Sequence, residues 1–275
     1  MVILLSAGSA LWQPGPAPDL TQVRIIAHRG SAGHAPENTL EAFALAIQQG
    51  ADVLELDIRA TAGGEFVVIH DEQVDRTTNG TGLVRELTLA EIRELDAGYT
   101  FSPDGMSFPF RGQGVVIPTL REFLQTFPCI PLLLDVKDLE PAGAQALFKL
   151  LEDKGALERS AIGSFDDGIM RDIHAVNSQI SLVAANQQIA AFFAFSRVGM
   201  ANWLRPDYAI LSIPPTKGVF RLANPVLIKR ARQLGLQVWV WTINDEESIN
   251  YYLDLGVHGI ITAFPDLVRK ELDKR

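Results

Sequence analysis

Short runs of β-branched and apolar residues alternate with amphipathic segments along most of this sequence. Such alternation is typical of βαβ units around a parallel sheet. Nine runs are predicted strands, at residues 24–27, 53–58, 66–69, 131–136, 160–165, 180–184, 208–211, 237–241 and 259–261. Segments with helical periodicity follow most of them, at residues 39–49, 142–154, 166–175, 224–234, 246–253 and 265–273. The pattern therefore predicts an α/β fold with a parallel sheet.

The third run, residues 66–69, differs from the others because only the turn 61–65 (TAGGE) separates it from the second run. Two glycines in so short a connection, Gly63 and Gly64, predict a β-hairpin and not a helical crossover. Without this hairpin arm, eight strands remain, with helices between most successive pairs. We therefore predict a TIM (β/α)8 barrel over residues 24–275.

The size and charge of the chain agree with one such domain. The chain has 275 residues, 47% of them hydrophobic, which is enough for a large buried core. The formal net charge of −9 argues against nucleic acid as a partner. Cys129 is the single cysteine, so an intrachain disulfide is excluded and a zinc cluster is not expected.

Two segments lie outside the predicted barrel. Residues 72–118, after the second strand, are rich in Gly, Pro and aromatic side chains, and we expect an inserted lid over the barrel mouth. Residues 1–23 form an N-terminal extension whose apolar part, residues 1–12, has the alternative interpretation of a signal peptide. That part is short and lacks a basic leading segment, so we expect a cytoplasmic protein. No apolar run is long enough for stable membrane insertion.

Ionisable side chains lie at or near the ends of the predicted strands. Catalytic residues collect at these ends in a TIM barrel. Residues two apart in a strand point to the same side. Two acidic residues of the second strand and an acidic–basic pair of the next barrel strand have this spacing. The set consists of His28, Arg29, Glu55, Asp57, His70, Asp135 and Lys137.

These side chains predict a site for a phosphate ester. Strands of a parallel barrel are covered on both faces, so inward carboxylates need a cation or ion partners. Three carboxylates suit a hard divalent metal ion. Arg29 and Lys137 add positive charge at the same mouth, and His28 and His70 can supply an acid and a base near neutral pH. We expect a small-molecule substrate; the oligomeric state is not predicted.

Eight ordered motifs carry a resemblance to a known family. They are IAHRG (26–30), APENTLEAF (35–43), GADVLELDI (50–58), VVIHD (67–71), RTTNGTG (76–82), IPTLRE (117–122), SF (164–165) and WVWTIN (239–244). In this order and spacing the sequence resembles the glycerophosphodiester phosphodiesterases, from about residue 24 to the C-terminus. The resemblance implies metal-dependent hydrolysis of glycerophosphodiesters to an alcohol and sn-glycerol 3-phosphate, with Mg²⁺ or Ca²⁺ as the cofactor.

The resemblance also implies roles for the residues at the site. His28 and His70 resemble the acid–base pair of the family. Glu55 and Asp57 resemble its metal ligands, and the strand that contains Asp135 supplies the third carboxylate. Which histidine is the acid, and whether water or a substrate hydroxyl attacks phosphorus, stay open.

Four further residues take implied roles around this centre. Arg29 and Lys137 resemble the phosphate contacts. Glu37 is expected to orient His28 or the metal ligands, with helix capping as its alternative. Trp241 is expected to line the alcohol pocket, with a place in the core as its alternative.

The sequence departs from the family pattern at three places. Asp135 stands where the family usually has Glu, and the shorter side chain raises the question of direct or water-mediated ligation. The hairpin turn has Gly63-Gly64 in place of Asp-Gly, which leaves the turn possible. Near the last strand Thr262-Ala263 replaces Thr-Asp, so we expect altered substrate contacts there.

Two alternative functions share this fold. A lysophospholipase-D-like enzyme would place an acyl chain on apolar residues of the insertion and on the segment 192–195; the insertion residues are Phe101, Phe108 and Phe110. A catalytically silent barrel is suggested by Asp135 and Ala263, and the intact His28 and His70 argue against it.

Overall fold

The computed structural model describes residues 23–139, 142–177 and 180–275. Its strands are β1 (Arg24–His28), β2 (Val53–Ala60), β3 (Phe66–Val68), β4 (Leu132–Val136), β5 (Ser160–Gly163), β6 (Ser181–Leu182), β7 (Ile210–Ile213), β8 (Thr216–Lys217), β9 (Phe220–Arg221), β10 (Gln237–Val240) and β11 (Gly259–Thr262). Its helices are α1 (Leu40–Gln48), α2 (Leu89–Arg93), α3 (Leu120–Thr126), α4 (Gly143–Asp153), α5 (Asp167–Val176), α6 (Asn186–Arg197), α7 (Pro225–Gln233), α8 (Glu246–Leu255) and α9 (Pro265–Leu272). Residues 1–22 lie outside the described part, so both interpretations of the N-terminal extension stay predictions.

Eight parallel strands form the barrel, in the order β6-β5-β4-β2-β1-β11-β10-β7. A parallel bridge between Val183 and Ile210 joins the two ends of this order. Two backbone hydrogen bonds support it, from Ala184 N to Ile210 O at 2.8 Å and from Ala209 N to Leu182 O at 2.9 Å. The sheet thus closes, and the predicted TIM barrel is confirmed.

The predicted hairpin arm is also present. β3 pairs antiparallel with β2, with Ala60 opposite Phe66. Gly64 in the turn has a φ of +83°, a conformation that glycine adopts without the steric cost of a side chain. The Gly63-Gly64 turn therefore serves the hairpin.

Alternation along the strands separates two apolar layers. Ile25 and Leu54 belong to the large core between the strands and the helices, while Ile26 and Val53 belong to a smaller core inside the barrel. Because side chains alternate, residues two apart in β2 share a face. Val53 points inward, so Glu55 and Asp57 also point into the barrel. The strand register thereby places acidic side chains in the interior.

The segment 72–118 has a core of its own. Val74, Ile92 and Ile117 pack there with Val67 and Ile69 from the hairpin arm. Helix α2 begins with a capping box, in which Thr88 and Glu91 exchange side-chain to backbone hydrogen bonds. The segment is thus a packed unit against the outer hairpin. Its action as a lid stays a prediction.

Three elements were not predicted from the sequence: α3, α6 and the small β8–β9 hairpin. Helix α3 has only seven residues, although Thr119 and Glu122 form a capping box at its start. Helix α6 buries few of its side chains, Phe192 and Ser196 among them, so its sequence shows little amphipathic contrast. None of the helices that the structure describes is long and apolar enough to cross a membrane.

Candidate active site

A cavity of about 230 Å³ opens at the carboxyl ends of the barrel strands. Seven predicted ionisable residues and the predicted aromatic residue line it: His28, Arg29, Glu55, Asp57, His70, Asp135, Lys137 and Trp241. Much of the remaining wall is apolar, with Phe165, Val183 and Ile189. Among the described residues, none from the segment 72–118 lines this cavity. The structure thus brings the predicted set together in one chamber.

Strand register assembles the acidic cluster. Asp57 on β2 lies opposite Asp135 on β4, and His28 on β1 lies opposite Glu55 on β2. Glu55, Asp57 and Asp135 each offer a carboxylate oxygen within 4.8 Å of the other two. The shorter side chain of Asp135 therefore still belongs to the cluster.

Two cations lie against these carboxylates. Lys137 Nζ is 2.6 Å from Asp135 Oδ2 and 2.9 Å from Asp57 Oδ1. Arg29 Nε is 3.2 Å from Asp57 Oδ2, although the N–H is not aligned for a hydrogen bond. Asn38 Nδ2 donates a hydrogen bond of 2.8 Å to the same Asp57 oxygen. Asp57 is thus surrounded by positive charge and donors.

The carboxyl groups of the acidic cluster differ in the direction of their pKa shifts. Burial alone would raise the pKa of Asp57, but Lys137 and Arg29 outweigh burial and hold that pKa below its ordinary value. Burial raises the pKa of Glu55 well above its ordinary value, and the neighbouring carboxylates of Asp57 and Asp135 raise it further. Three negative charges are therefore unfavourable here unless further positive charge is present.

The residues fit a divalent metal ion. Asp135 Oδ1 is buried and has no hydrogen-bond partner. Glu55 Oε2 accepts a hydrogen bond of 2.7 Å from Arg29 N, which orients this carboxylate towards the end of β1. Three carboxylates with unused lone pairs in one chamber are the hard oxygen ligands that Mg²⁺ and Ca²⁺ prefer. Glu55, Asp57 and Asp135 are thus a possible metal-binding set.

The two histidines stand in different surroundings. Burial, with a contribution from Arg29, lowers the pKa of His28 to about 4, so this imidazole is neutral at neutral pH. His70 Nδ1 lies 2.6 Å from Asp71 Oδ1. The pKa of Asp71 is lowered mainly by its hydrogen bonds with Arg76, so its carboxylate is ionised and accepts a hydrogen bond from Nδ1–H of His70. His70 is therefore left with Nε2 for chemistry.

The backbone after β1 has an unusual conformation that positions Arg29. Arg29 and Gly30 both have positive φ, at 53° and 82°. A Cβ on Gly30 would lie 2.7 Å from the carbonyl carbon of Ala42, so only glycine fits against α1. Arg29 Nη1 in turn donates to Glu37 Oε1 at 2.8 Å. The His-Arg-Gly sequence thus turns the chain sharply at the cavity edge.

The structure separates the two interpretations of Glu37. Thr39, not Glu37, caps α1, because its hydroxyl accepts a hydrogen bond from Ala42 N. Glu37 instead accepts hydrogen bonds from Arg29 and from Arg76 of the insertion. The capping alternative is therefore wrong, and Glu37 contacts the site through Arg29.

An aromatic pair forms one wall of the cavity. Trp241 is half-buried and its ring centroid lies 5.6 Å from that of Phe165 in an edge-to-face arrangement. Lys137 Nζ lies 5.5 Å from the centre of the Phe165 ring. Trp241 also packs against the inner barrel core, so it contacts both the core and the cavity. Its role towards substrate stays a prediction.

Several residues at the site were not singled out from the sequence. Asn38 has a φ of +60° and uses its amide to hold Asp57, which no periodicity reveals. Asp71 and Arg76 orient His70 from outside the cavity. Each stands inside a motif quoted for the family resemblance, which is the one signal that could have found it.

A closed parallel barrel with this acidic cluster, two histidines and two cations at its mouth defines a TIM-barrel phosphoric diester hydrolase. The sequence pattern of the glycerophosphoryl diester phosphodiesterase family matches residues 28–267. The chain belongs to this family.

Relatives agree with this assignment over nearly the whole chain. The glycerophosphodiester phosphodiesterase of Caldanaerobacter subterraneus subsp. tengcongensis is 35% identical over 257 residues, which are 90% of this chain and 98% of that protein. A crystal structure of glycerophosphodiester phosphodiesterase from Agrobacterium tumefaciens has 29% identity and a TM-score of 0.74, covering 90% of this chain and 100% of the other. An Oleispira antarctica phosphodiesterase in complex with the product sn-glycerol-3-phosphate has 27% identity and a TM-score of 0.75, covering 91% and 96%.

Proposed function

We propose that this protein hydrolyses glycerophosphodiesters to an alcohol and sn-glycerol 3-phosphate, with a divalent cation held by Glu55, Asp57 and Asp135. One observation supports the proposal above all others. The three carboxylates lie within 4.8 Å of one another in a chamber that also contains two histidines and two cationic side chains. Opposing charges and proton-transfer groups in one chamber are what cleavage of an anionic ester requires.

Each side chain has a part in the reaction. Mg²⁺ or Ca²⁺, when bound, supplies Lewis-acid stabilisation of the charge on the phosphoryl oxygens. Arg29 and Lys137 neutralise the non-bridging oxygens from the cavity wall. His28, which is neutral at neutral pH, fits the role of the general base that accepts the proton of the nucleophile. His70, with Nδ1 held by Asp71, donates a proton to the leaving alkoxide through Nε2.

The apolar wall supports a place for the leaving alcohol. Phe165 and Trp241 meet at the wall of the cavity, which Ile189 also lines. This wall can accept the alkyl part of an alcohol while the phosphate faces the cations.

The direct test is release of phosphomonoester from glycerophosphocholine and glycerophosphoethanolamine. Purified protein is treated with EDTA and then supplied with Mg²⁺ or Ca²⁺, beside a His28→Ala variant. Turnover that EDTA abolishes, that one of the cations restores and that the variant lacks supports the proposal. A folded protein with no turnover under either cation contradicts it.

A lysolipid is the second candidate substrate, because of the same apolar wall. The residues first considered for an acyl chain lie elsewhere. Phe101 and Phe110 pack against each other in the insertion, and Phe192 is buried in the large core. A lysophospholipid dispersed in detergent, assayed beside glycerophosphocholine, decides between the two substrates. Faster turnover of the lysolipid would favour the second candidate.

A further inference from the structure

Arg76 connects the insertion 72–118 with residues at the chamber, although its side chain does not line the cavity. Its guanidinium donates from Nε to Asp71 Oδ2 at 2.5 Å and from Nη2 to Asp71 Oδ1 at 3.1 Å. It also donates from Nη1 to Glu37 Oε2 at 2.8 Å and from Nη2 to Glu37 Oε1 at 2.7 Å. One planar side chain thus holds two carboxylates at once.

We propose that Arg76 is a positioning residue for His70: anchored on Glu37, it fixes the Asp71 carboxylate that orients the His70 ring. This inference rests on the proposed role of His70 in the hydrolysis. It assigns the insertion a part in the reaction that its packing alone does not suggest.

The proton arrangement follows from the chemistry of the three groups. An Asp71 carboxylate paired with a guanidinium is ionised and can only accept hydrogen bonds. His70 Nδ1, 2.6 Å away, must therefore be the donor, and Nε2 is the atom that remains for the substrate. Without Arg76, the Asp71 carboxylate can rotate, and the imidazole can take the other tautomer or turn away from the chamber.

The anchor is itself held from two sides. Glu37 Oε1 accepts from both Arg76 Nη2 and Arg29 Nη1, so its position is fixed from the cavity side as well. On the outer side, Thr100 Oγ1 donates to Arg76 O at 2.8 Å and ties the Arg76 backbone to the remainder of the insertion. Arg76 is half exposed and forms no hydrogen bond with Glu55, Asp57 or Asp135 among those resolved in the described residues. Asp71 alone connects Arg76 with His70, whereas its connection with the acidic cluster needs both Glu37 and Arg29.

The first experiment compares Arg76→Ala with Arg85→Ala as a matched control. Arg85 lies in the same insertion and pairs at the surface with Glu72. We expect Arg76→Ala to lower kcat about 10- to 100-fold with the cation requirement unchanged, the range typical of groups that orient a functional side chain. We expect the kcat of Arg76→Lys to lie between those of Arg76→Ala and Arg85→Ala, because one ammonium cannot hold both carboxylates in paired hydrogen bonds. A kcat for Arg76→Ala within about twofold of the Arg85→Ala value would overturn the proposal.

A double-mutant cycle separates positioning from general loss of structure. In a His70→Ala background, Arg76→Ala is expected to change the residual turnover by less than roughly threefold, because the group on which it acts is absent. An equal loss in both backgrounds would contradict the proposed action on His70.

A measurement without turnover keeps this inference separate from the proposed function. Imidazole ¹⁵N spectra of labelled protein should show the His70 Nδ1 proton held in its hydrogen bond to Asp71, and this signature should be lost in Arg76→Ala. An unchanged His70 spectrum in Arg76→Ala would overturn the inference. If the parent protein did not hydrolyse glycerophosphodiesters, the proposed function would fail, while these spectra would still decide the role of Arg76.

Discussion

Asp57 and Asp135 are register partners on neighbouring parallel strands, and the ammonium of Lys137 bridges them at 2.9 and 2.6 Å. The bridge ties the two carboxylates together at the barrel mouth. It leaves Asp135 Oδ1 without a hydrogen bond and Glu55 without a hydrogen bond from this lysine. The acidic cluster is thus partly neutralised and still has oxygen atoms for a cation.

Removing the charge of Glu55 should act through metal binding. In Glu55→Gln one of the three carboxylates becomes a neutral, weaker ligand, so we expect the affinity for Mg²⁺ or Ca²⁺ to fall at least about tenfold. Excess cation should restore part of the turnover. Cation titrations of turnover and of heat release measure this, with Glu65→Gln in the exposed hairpin turn as the control. An unchanged cation affinity would show that Glu55 is not a ligand.

Substitutions at Asp135 test whether cation binding depends on the shorter side chain that this chain has in place of the usual Glu. Asp135→Glu keeps the charge and extends the side chain by one methylene, so we expect kcat to stay within roughly fivefold of the parent. Asp135→Asn removes the charge beside Lys137 and should lower the apparent cation affinity at least about tenfold. The two variants are compared in the same cation titration. Equal behaviour of Glu and Asn at this position would exclude a role for the charge.

The two histidines should be separately necessary. We expect His28→Ala and His70→Ala each to lower kcat by roughly two to four orders of magnitude, the contribution of positioned proton transfer. His34, which is exposed and lies 3.1 Å from Asp266, provides the control variant His34→Ala. Near-normal turnover of either cavity variant would remove that histidine from the mechanism.

Two glycines with nearly the same positive φ separate backbone strain from steric clash. Gly30 and Gly64 have φ values of 82° and 83°, but a Cβ on Gly64 would meet no atom within 4 Å. Gly64→Ala should cost about 1 kcal/mol of unfolding free energy, from the left-handed conformation alone. Gly30→Ala should cost about 3 kcal/mol, because the clash with Ala42 adds to it. Denaturant titration of both variants measures the difference, and equal losses would refute the clash.

Burial of His258 should make stability depend on pH. Burial, with Arg232, lowers the pKa of His258 from 6.5 to about 4. Its Nδ1 accepts a hydrogen bond of 3.0 Å from Val238 N. Between pH 6.5 and 4 the unfolded chain binds more protons at this residue. The free energy of unfolding therefore falls as pH drops, by up to about 1.4 kcal/mol per pH unit.

The matched variant for this effect is His258→Asn, whose side-chain oxygen can replace the Nδ1 acceptor but does not titrate. The free energy of unfolding of the parent protein should decrease relative to that of the variant as pH falls from 7 to 4.5. Chemical denaturation at several pH values measures it. A constant difference in unfolding free energy across this range would contradict the assignment.

The sequence was sufficient for the barrel because strand periodicity and the short Gly63-Gly64 turn are local properties. It was also sufficient for the inward direction of Glu55 and Asp57, because alternation along a strand is geometric. It was not sufficient for Asn38 or Arg76, whose roles depend on which loops meet in space. Arg76 stands 39 residues from Glu37, and no local pattern records that approach.

The two-residue strand β6 and its single bridge to β7 give the barrel a seam. Elsewhere in the barrel two to five residue pairs connect neighbouring strands, whereas here the single pair Val183 and Ile210 forms the junction. The closure of the eight-stranded barrel thus depends on one short strand pairing, between β6 and β7. Amide hydrogens of Ala184 and Ala209, which donate across this junction, should exchange with solvent before those of β1 and β2. New chain ends made by circular permutation should be tolerated better at this seam than at any position that interrupts β1, β2 or β4.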